Sequence, residues 1–415
     1  MPRIVADLHL HSKFSRATSK GMEVETLNQW ARIKGIDLLG TGDFTHPQYF
    51  SELKSRLIPN GKGLFTLKGE PESVHFMLTA EVSNMYSDKG KGRRIHTLLF
   101  APGFEEAEKI NAVLSGWGKV ASDGRPIFGF PVKQLAETVL NVSDQCMVIP
   151  AHAWTPWFSI FGSESGYDSI EEAFGELTPH IHAVETGLSS DPSMNWRLSA
   201  LDSMALISNS DAHSPGKLGR EANVFDCGMD YHDIVRILKT KDRNRFLKTI
   251  EFFPEEGKYH YDGHRACNVH LSPNDTIRCH GICPVCNKPV TVGVMHRVEA
   301  LADRPEGFEP PDAVPFVRMV PLLEIVAEAM GIGANTTGAA RQYQKLVAEG
   351  GSEFGILLDR SMGELSAFVP ERILEGIVRV REGRLRIRPG YDGLYGEVRI
   401  FAEGTGRKSV QTELF

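Results

Sequence analysis

Short β-rich runs that each end on a histidine or an acidic side chain recur along the first half of the chain. The first run, "RIVADLHLH", ends on His9 and His11, and the last, "MALISNSDAH", ends on Asp211 and His213. The runs between them carry Asp43, Glu81, His96, His152 and Glu185. Segments with helical periodicity, such as residues 22–35, lie between the runs. Strands that alternate with helices predict a parallel sheet and an α/β fold class.

In a parallel barrel the carboxyl ends of the strands form one mouth, so side chains distant in sequence would converge there. A lone histidine is more often a core or surface residue, but seven such strand ends favour a shared metal site. Glu185 is equally compatible with a helix cap. Histidine and carboxylate ligands suit zinc, manganese, iron or magnesium. Their number exceeds the needs of one tetrahedral ion, which predicts two or more divalent ions (Zn, Mg or Mn) and phosphoester hydrolysis.

The same runs resemble the ordered motifs of the PHP (polymerase and histidinol phosphatase) superfamily across about residues 1 to 225. The matching stretches are "DLHLHS", "GTGD", "LTAEVS", "IHTLLF", "PAH" and "SNSDAH". The resemblance implies a distorted parallel (β/α)7 barrel that cleaves phosphoesters. Carried over by position, the implied metal ligands are His9, His11, Asp43, Glu81, His96, His152, Asp211 and His213.

Two positions depart from the pattern of the superfamily. Arg16 stands where an aspartate is often found, and Phe44 stands where a histidine is common. The implied ligand set is therefore incomplete, and the number of ions stays open. His46 is either a substitute ligand or a solvated loop residue.

Size and charge bound the other expectations. The 415 residues exceed the roughly 250 to 300 at which one core stops growing, so two or three domains are expected. The net charge of −7 implies that any contact with nucleic acid is local. No apolar run approaches the length of a membrane span, and the chain starts directly on a strand pattern, so we expect a cytoplasmic protein, which would be nucleoid-associated if it binds DNA.

Four of the six cysteines lie close together in "CNVHLSPNDTIRCHGICPVC". Such clustering in a cytosolic chain favours a metal site over disulfides. We predict one structural zinc ion bound by Cys267, Cys279, Cys283 and Cys286. In the alternative, His270 or His280 replaces one of the cysteines.

The segment "GIVRVREGRLRIRPG", residues 376–390, predicts a β-hairpin that turns at Glu382 and Gly383. Its arginines lack matching acids and suit phosphate oxygens, which favours contact with nucleic acid over an ordinary solvated face. These arginines are Arg379, Arg381, Arg384, Arg386 and Arg388. A preceding helical pair is more compatible with plain packing than with DNA binding.

The order of the segments resembles the endonuclease Q family over nearly the whole chain. A PHP barrel over residues 1–230 is followed by a zinc-binding segment over 231–303 and a small α+β domain over 304–403, which carries "PGYDGLYGEV". The resemblance implies a DNA repair endonuclease that nicks double-stranded DNA on the 5′ side of deaminated bases (hypoxanthine, uracil, xanthine) and of abasic sites. The metal chemistry alone implies only a phosphoesterase.

Two alternatives stay open at this point. One is a small-molecule phosphatase of the histidinol phosphatase type, and the other is a catalytically silent protein that binds DNA or a sliding clamp. For a nuclease, Asp211 is the expected catalytic residue, which bridges ions or orients the attacking water.

An enzyme that recognises a deaminated base can extrude it into a pocket with aromatic walls. The stretch "HAWTPWFSIF" places Trp154, Trp157 and Phe158 directly after His152. We predict that these side chains contact the base or the strand, with core packing as the alternative.

The last segment, residues 404–415, is expected to be a flexible tail that ends in "QTELF". Its ending is similar to short peptides that dock on the bacterial sliding clamp, with Gln411, Leu414 and Phe415 as anchors. The alternative is a tail without function.

Overall fold

A computed structural model describes residues 3–70 and 72–401 of the chain. Its strands are β1 (Arg3–Asp7), β2 (Leu38–Gly40), β3 (Leu57–Pro59), β4 (Phe65–Leu67), β5 (His75–Asp88), β6 (Lys91–Ala101), β7 (Ile127–Phe128), β8 (Met147–Pro150), β9 (Ala183–Glu185), β10 (Ala205–Ile207), β11 (Ala222–Asp226), β12 (Phe246–Glu251), β13 (Asp262–His264), β14 (Val269–Leu271), β15 (Phe316–Arg318), β16 (Arg386–Arg388) and β17 (Glu397–Arg399).

The α-helices are α1 (Val24–Lys34), α2 (Pro47–Arg56), α3 (Phe104–Trp117), α4 (Val132–Val142), α5 (Ile170–Phe174), α6 (Pro192–Asn195), α7 (Tyr231–Thr240), α8 (Pro273–Arg278), α9 (Val294–Leu301), α10 (Leu322–Met330), α11 (Thr337–Gly350), α12 (Met362–Ser366) and α13 (Glu371–Arg381). None of them, within the ranges that the structure describes, is long and apolar enough to cross a membrane.

An eleven-stranded sheet lies at the centre of the fold, in the order β15-β12-β11-β1-β2-β5-β4-β3, with β6 and β7 on β5 and β8 on β6. The mixed α/β class is confirmed. β12 and β15 belong to the same sheet as β1, so the sheet extends beyond the predicted boundary at residue 230. The boundaries of the predicted domains stay predictions.

The sheet is parallel only in part. β1, β2 and β5 are parallel neighbours, whereas β1 with β11, β5 with β6 and β6 with β8 are antiparallel. The longest antiparallel pair has a local cause: β5 and β6 are joined by Lys89 and Gly90, which both have left-handed backbone at φ 50° and 78°. Such a two-residue turn favours a hairpin. The (β/α)7 barrel therefore stays a prediction.

Helix α1 illustrates how the layers over the sheet form. Val24, Leu27 and Ala31 are buried at helical spacing, which turns one face of the helix toward the sheet. The helix ends at Gly35, whose φ of 84° favours glycine.

The predicted hairpin at residues 376–390 is wrong in its first half. Residues 371–381 form α13, in which Ile373, Ile377 and Val380 are buried at helical spacing. The alternation of arginine with apolar residues there is also compatible with one turn of an amphipathic helix, and burial of the apolar face decides between the two. The hairpin that forms is β16 with β17, which pairs Arg386 with Arg399.

A buried ion pair connects α1 to the C-terminal helices. Lys34 Nζ lies 2.7 Å from a carboxylate oxygen of Glu353, and both side chains are almost fully buried. Glu353 also accepts hydrogen bonds from the Tyr343 hydroxyl at 2.6 Å and the Leu322 amide at 3.0 Å. One carboxylate thus joins α1, the start of α10 and α11.

Candidate metal centre

Side chains from distant parts of the chain meet at one end of the central sheet. His9 and His11 follow β1, Glu81 lies in β5, and Asp211 follows β10. Their ligand atoms all lie within 4.8 Å of one another. His11 Nε2 is 3.1 Å from Glu81 Oε2 and 3.1 Å from Asp211 Oδ1. These four predicted ligands therefore form one group that could hold a metal ion.

A second group shares Glu81 with the first. His96 Nδ1 lies 2.7 Å and His152 Nε2 lies 3.1 Å from Glu81 Oε1. Since Oε2 of the same carboxylate faces His11, Glu81 stands between the two groups. A carboxylate in this position could serve two cations, and the number of ions stays a prediction.

Several potential ligand atoms of the centre have no hydrogen-bond partner among the described residues, which favours metal binding as their role. His9 Nε2, His11 Nε2 and Asp211 Oδ1 are buried, and none makes a hydrogen bond within the part of the chain that the structure describes. Buried polar atoms without partners are costly. Imidazole nitrogens and carboxylate oxygens are ligands of zinc and related divalent ions.

Glu185, whose role the sequence left open, lies behind His9. Its two carboxylate oxygens are 3.1 and 3.0 Å from His9 Nδ1, and they also accept the His152 amide and the Asn209 side-chain amide. A carboxylate on Nδ1 fixes the ring tautomer and leaves Nε2 available to a metal. Glu185 therefore orients His9.

Asp43, a predicted ligand, has the equivalent place behind His11. Its Oδ1 is 3.2 Å from His11 Nδ1, while its Oδ2 accepts the Ser12 amide at 2.7 Å and the hydroxyls of Ser12 and Ser15 at 2.6 and 2.8 Å. The structure does not bring Asp43 into either group. Since its oxygens are already bonded, it orients His11.

His213 is also outside both groups among the described residues. Its Nδ1 lies 2.9 Å from the Asp211 carbonyl oxygen, and its ring centroid lies 4.5 Å from that of His11. It therefore stands at the rim of the centre, beside its ligands.

Burial and charge set the protonation of the centre. Burial lowers the pKa of His96 to about 4, despite the nearby Glu81, so the ring is neutral at pH 7 and can donate a lone pair. Burial alone would raise the pKa of Glu81, but His96, Arg125 and His9 hold it well below its usual range. Glu81 is therefore a charged carboxylate.

Three residues of the centre have left-handed backbone. The φ angles are 45° at Asp43, 29° at His152 and 46° at Asp211. Such conformations cost about 1–3 kcal/mol each in residues other than glycine and cluster at functional sites. The fold thus bears strain at the points where β2, β8 and β10 give way to loops.

The positions that depart from the superfamily have other roles. Phe44 is buried in the core, and Arg16 has a side chain that is 78% exposed and pairs with Asp123 at 3.2 Å. His46 caps α2, where Nδ1 accepts the Tyr49 amide at 3.4 Å. Among the described residues none of these three joins a group of possible ligands.

Arg125 belongs to the centre, although no sequence pattern predicted it. Its Nη1 donates to Glu81 Oε2 at 3.0 Å. It follows no strand and lies in the loop between α3 and β7, where arginines are usually solvated.

The cysteine segment forms a separate group with a changed ligand. Its members are His264, Cys267, Cys283 and Cys286, so the predicted Cys279 is outside it. Cys279 directly follows α8, whereas His264 ends β13 and lies 3.3 Å from Cys286 Sγ. His270, the alternative ligand, packs instead between Tyr261 and Tyr391. One histidine and three thiolates make a four-ligand set that zinc accepts.

The aromatic residues that were predicted to contact DNA differ in their burial. Trp154 is buried and donates to Asn195 Oδ1 at 2.8 Å, which agrees with core packing. Trp157 is 42% exposed and lies 6.0 Å from Tyr259, and Phe158 lies 4.8 Å from the ring of His96. Phe158 is therefore half-buried beside the centre, and Trp157, the residue before it, is exposed.

The five arginines that were predicted to bind phosphate also differ in their contacts. Arg379 pairs with Glu375 on its own helix, Arg381 donates to the carbonyls of residues 356, 357 and 360, and Arg384 pairs with Glu382. Arg386 and Arg388 are exposed on β16. Gln411, Leu414 and Phe415 lie outside the described residues.

The fold and the shared Glu81 define an α/β protein with a candidate multinuclear metal centre. Two solved structures match it over almost its whole length. The lesion-specific endonuclease PfuEndoQ from Pyrococcus furiosus has a TM-score of 0.85 at 31% identity, over 96% of this chain and 95% of the other. An endonuclease Q in complex with a 27-mer duplex substrate, with an abasic lesion at its active site, has a TM-score of 0.83 at 32% identity, over 96% of each. The chain belongs to the endonuclease Q family.

Two sequence relatives also match the chain. The uncharacterized protein YqxK of Bacillus subtilis is 29% identical over 416 residues, which are 96% of this chain and 100% of YqxK. The uncharacterized protein MJ0043 of Methanocaldococcus jannaschii is 30% identical over 254 residues, which are 60% of this chain and 31% of MJ0043. Residues 321–384 match the family model of the MJ0043 C-terminal domain.

Proposed function

We propose that the chain is a metal-dependent DNA repair endonuclease that cleaves the phosphodiester on the 5′ side of deaminated bases and abasic sites. The observation that carries the proposal is the centre around Glu81, in a chain that matches a lesion-specific endonuclease over 96% of its length. Two ligand groups that share one carboxylate suit the in-line displacement of a phosphate ester.

The residues of the centre have distinct proposed roles. His9, His11 and Asp211 would hold one ion, and His96 and His152 another, with Glu81 between them. Bound divalent ions would activate a water for attack and stabilise the leaving oxygen. Glu185 and Asp43 keep Nε2 of His9 and His11 free of protons, and Asp211 orients the attacking water.

An accessible strip beside the centre supports DNA as the substrate. It consists of Trp157, Tyr259, Lys258 and Tyr395, in which Trp157 lies 6.0 Å from Tyr259 and Lys258 Nζ lies 4.8 Å from the ring of Tyr395. Aromatic rings can stack on bases, and cations attract phosphates. Trp157 directly precedes Phe158, whose ring lies 4.8 Å from that of His96, so the strip adjoins the metal centre along the chain.

The cysteine segment has a structural role in this proposal. With four ligands from one short segment, a zinc ion would be fully coordinated and would stabilise the fold of residues 264–286. Tyr391, which packs on His270, would connect the segment to the C-terminal hairpin.

A cleavage assay tests the proposal. The protein is incubated with manganese or magnesium and an end-labelled duplex that contains one inosine, uracil or abasic site, and the break is mapped on a sequencing gel. We expect a nick 5′ to the lesion that a chelator abolishes, and an intact undamaged duplex. Release of phosphate from a simple phosphomonoester, without a nick, would contradict the proposal and favour a phosphatase.

A further inference from the structure

We propose that Arg125 is a catalytic residue that binds a non-bridging oxygen of the scissile phosphate and supplies positive charge to the centre in addition to the metal ions. The inference rests on the proposed function, because it assigns a contact to the substrate of that reaction.

The backbone of Arg125 is held firmly. The amide of Arg125 donates to Asp123 Oδ1 at 3.2 Å, and the Ser83 amide in β5 donates to the Pro126 carbonyl at 3.0 Å. Gly124 is wedged against the centre, because a Cβ atom at this position would lie 2.2 Å from Asp43 Oδ2. The loop therefore places Arg125 beside the middle of β5, where its side chain reaches Glu81.

The guanidinium of Arg125 lies between the buried ligands and the solvent. Nη1 donates to Glu81 Oε2 at 3.0 Å, and the side chain is 28% exposed. The same Glu81 oxygen lies 3.1 Å from His11 Nε2, which in turn lies 3.1 Å from Asp211 Oδ1. A phosphate that approaches Asp211 from the open side would meet this cation.

Most of the hydrogen-bonding capacity of Arg125 is unused. Within the described residues, Glu81 is the one acceptor of its guanidinium, which has five N–H donors. The planar fork of arginine matches phosphate oxygens in a bidentate manner. Arg125 can therefore keep its bond to Glu81 and bind the substrate with its remaining donors.

Arg16 is the second arginine near this loop and gives a contrast. Its guanidinium turns away to Asp123 and is 78% exposed. Arg16 thus contacts the loop through its exposed side chain but does not reach the centre, which makes Arg16→Ala a matched control for Arg125→Ala.

The test compares the wild type with Arg125→Ala, Arg125→Lys and Arg16→Ala on an inosine-containing duplex. We expect Arg125→Ala to slow single-turnover nicking by about 100- to 1,000-fold, as does removal of one donor that stabilises developing charge. Arg125→Lys should recover part of the rate, and Arg16→Ala should nick like the wild type. Added guanidinium ion at millimolar concentration should speed Arg125→Ala but not Arg16→Ala.

Two further measurements separate catalysis from a structural role. Metal content should be the same in all four proteins, and a phosphorothioate at the scissile position should slow the wild type more than Arg125→Ala for one diastereomer. Loss of metal from Arg125→Ala in proportion to its loss of activity would overturn the proposal, because Arg125 would then only hold Glu81. Nicking by Arg125→Ala at the wild-type rate would overturn the role of Arg125 but leave the proposed function standing. A wild type that nicks no duplex would overturn both.

Discussion

The centre around Glu81 and the cysteine group around Cys283 both gather side chains that could bind metal ions, but they are built in opposite ways. The first takes side chains from residues 9 to 211, holds them at the end of a buried sheet, and backs its histidines with carboxylates. The second takes its ligands from residues 264–286, in loops and short strands. Because the first is buried in a large fold, we expect it to keep its shape without ions, whereas the second is expected to depend on its ion for its shape.

The largest expected effect concerns Asp211. Asp211→Asn keeps the volume but removes the charge beside His11, so nicking of an inosine duplex should fall about 1,000-fold, which corresponds to roughly 4 kcal/mol of transition-state stabilisation. Thermal unfolding should change little, because the sheet holds the site. Asp312→Asn, at an exposed position, is the control. Normal nicking by Asp211→Asn would remove Asp211 from the mechanism.

The next effect distinguishes the two predicted zinc sets. His264→Ala removes one of four ligands, on the order of a quarter of the roughly 10–16 kcal/mol that structural zinc contributes, so zinc affinity should fall at least about 100-fold. Cys279→Ser should bind zinc like the wild type. Competition with a chromophoric chelator measures both. A reversed ranking would show that the ligand is Cys279.

A smaller effect is expected behind the ligands of the sheet centre. Glu185→Gln leaves every ligand in place but weakens control of the His9 tautomer, so metal affinity should fall about 10- to 100-fold. Isothermal titration with manganese gives the affinity, and Glu176→Gln, an exposed change, is its control. If Glu185→Gln lost all binding, Glu185 would be a ligand itself.

The smallest effect concerns the accessible strip. Trp157→Ala should weaken binding of a lesion duplex by about 10-fold, within the range for loss of one stacking side chain. Fluorescence anisotropy in calcium would report binding without cleavage, and Trp117→Ala, exposed on α3, is the control. An unchanged ratio of lesion to undamaged affinity would exclude Trp157 from lesion recognition.

The sequence predicted the sheet centre better than the C-terminal region, and the reason is physical. A strand that ends on a ligand repeats many times, and the repeats support one another, so six of the eight predicted ligands fall within the two groups. The sequence pattern cannot show, however, whether Asp43 binds a metal or instead orients His11 through Nδ1. A carboxylate at the end of a strand can have either role with the same local sequence. Arg125 was missed for a related reason, since its loop carries no pattern.

Predictions from local sequence patterns were less accurate where two different local structures are compatible with the same pattern. Three of four predicted cysteines are in the cysteine group, but its fourth member is His264, the last residue of β13. Likewise, alternation at residues 377–381 is compatible with strand and helix, and packing of Ile377 and Val380 decided for helix.

The buried pair of Lys34 and Glu353 has a thermodynamic consequence. Removal of either partner would leave an uncompensated charge in the core, which costs about 3–5 kcal/mol. The two residues are more than three hundred positions apart in sequence. If the C-terminal helices unfolded separately from α1, Lys34 would therefore lose Glu353 as its partner. We therefore expect the wild type to unfold in a single cooperative transition. Calorimetry of Glu353→Gln, which lacks the ion pair, should show two separate transitions.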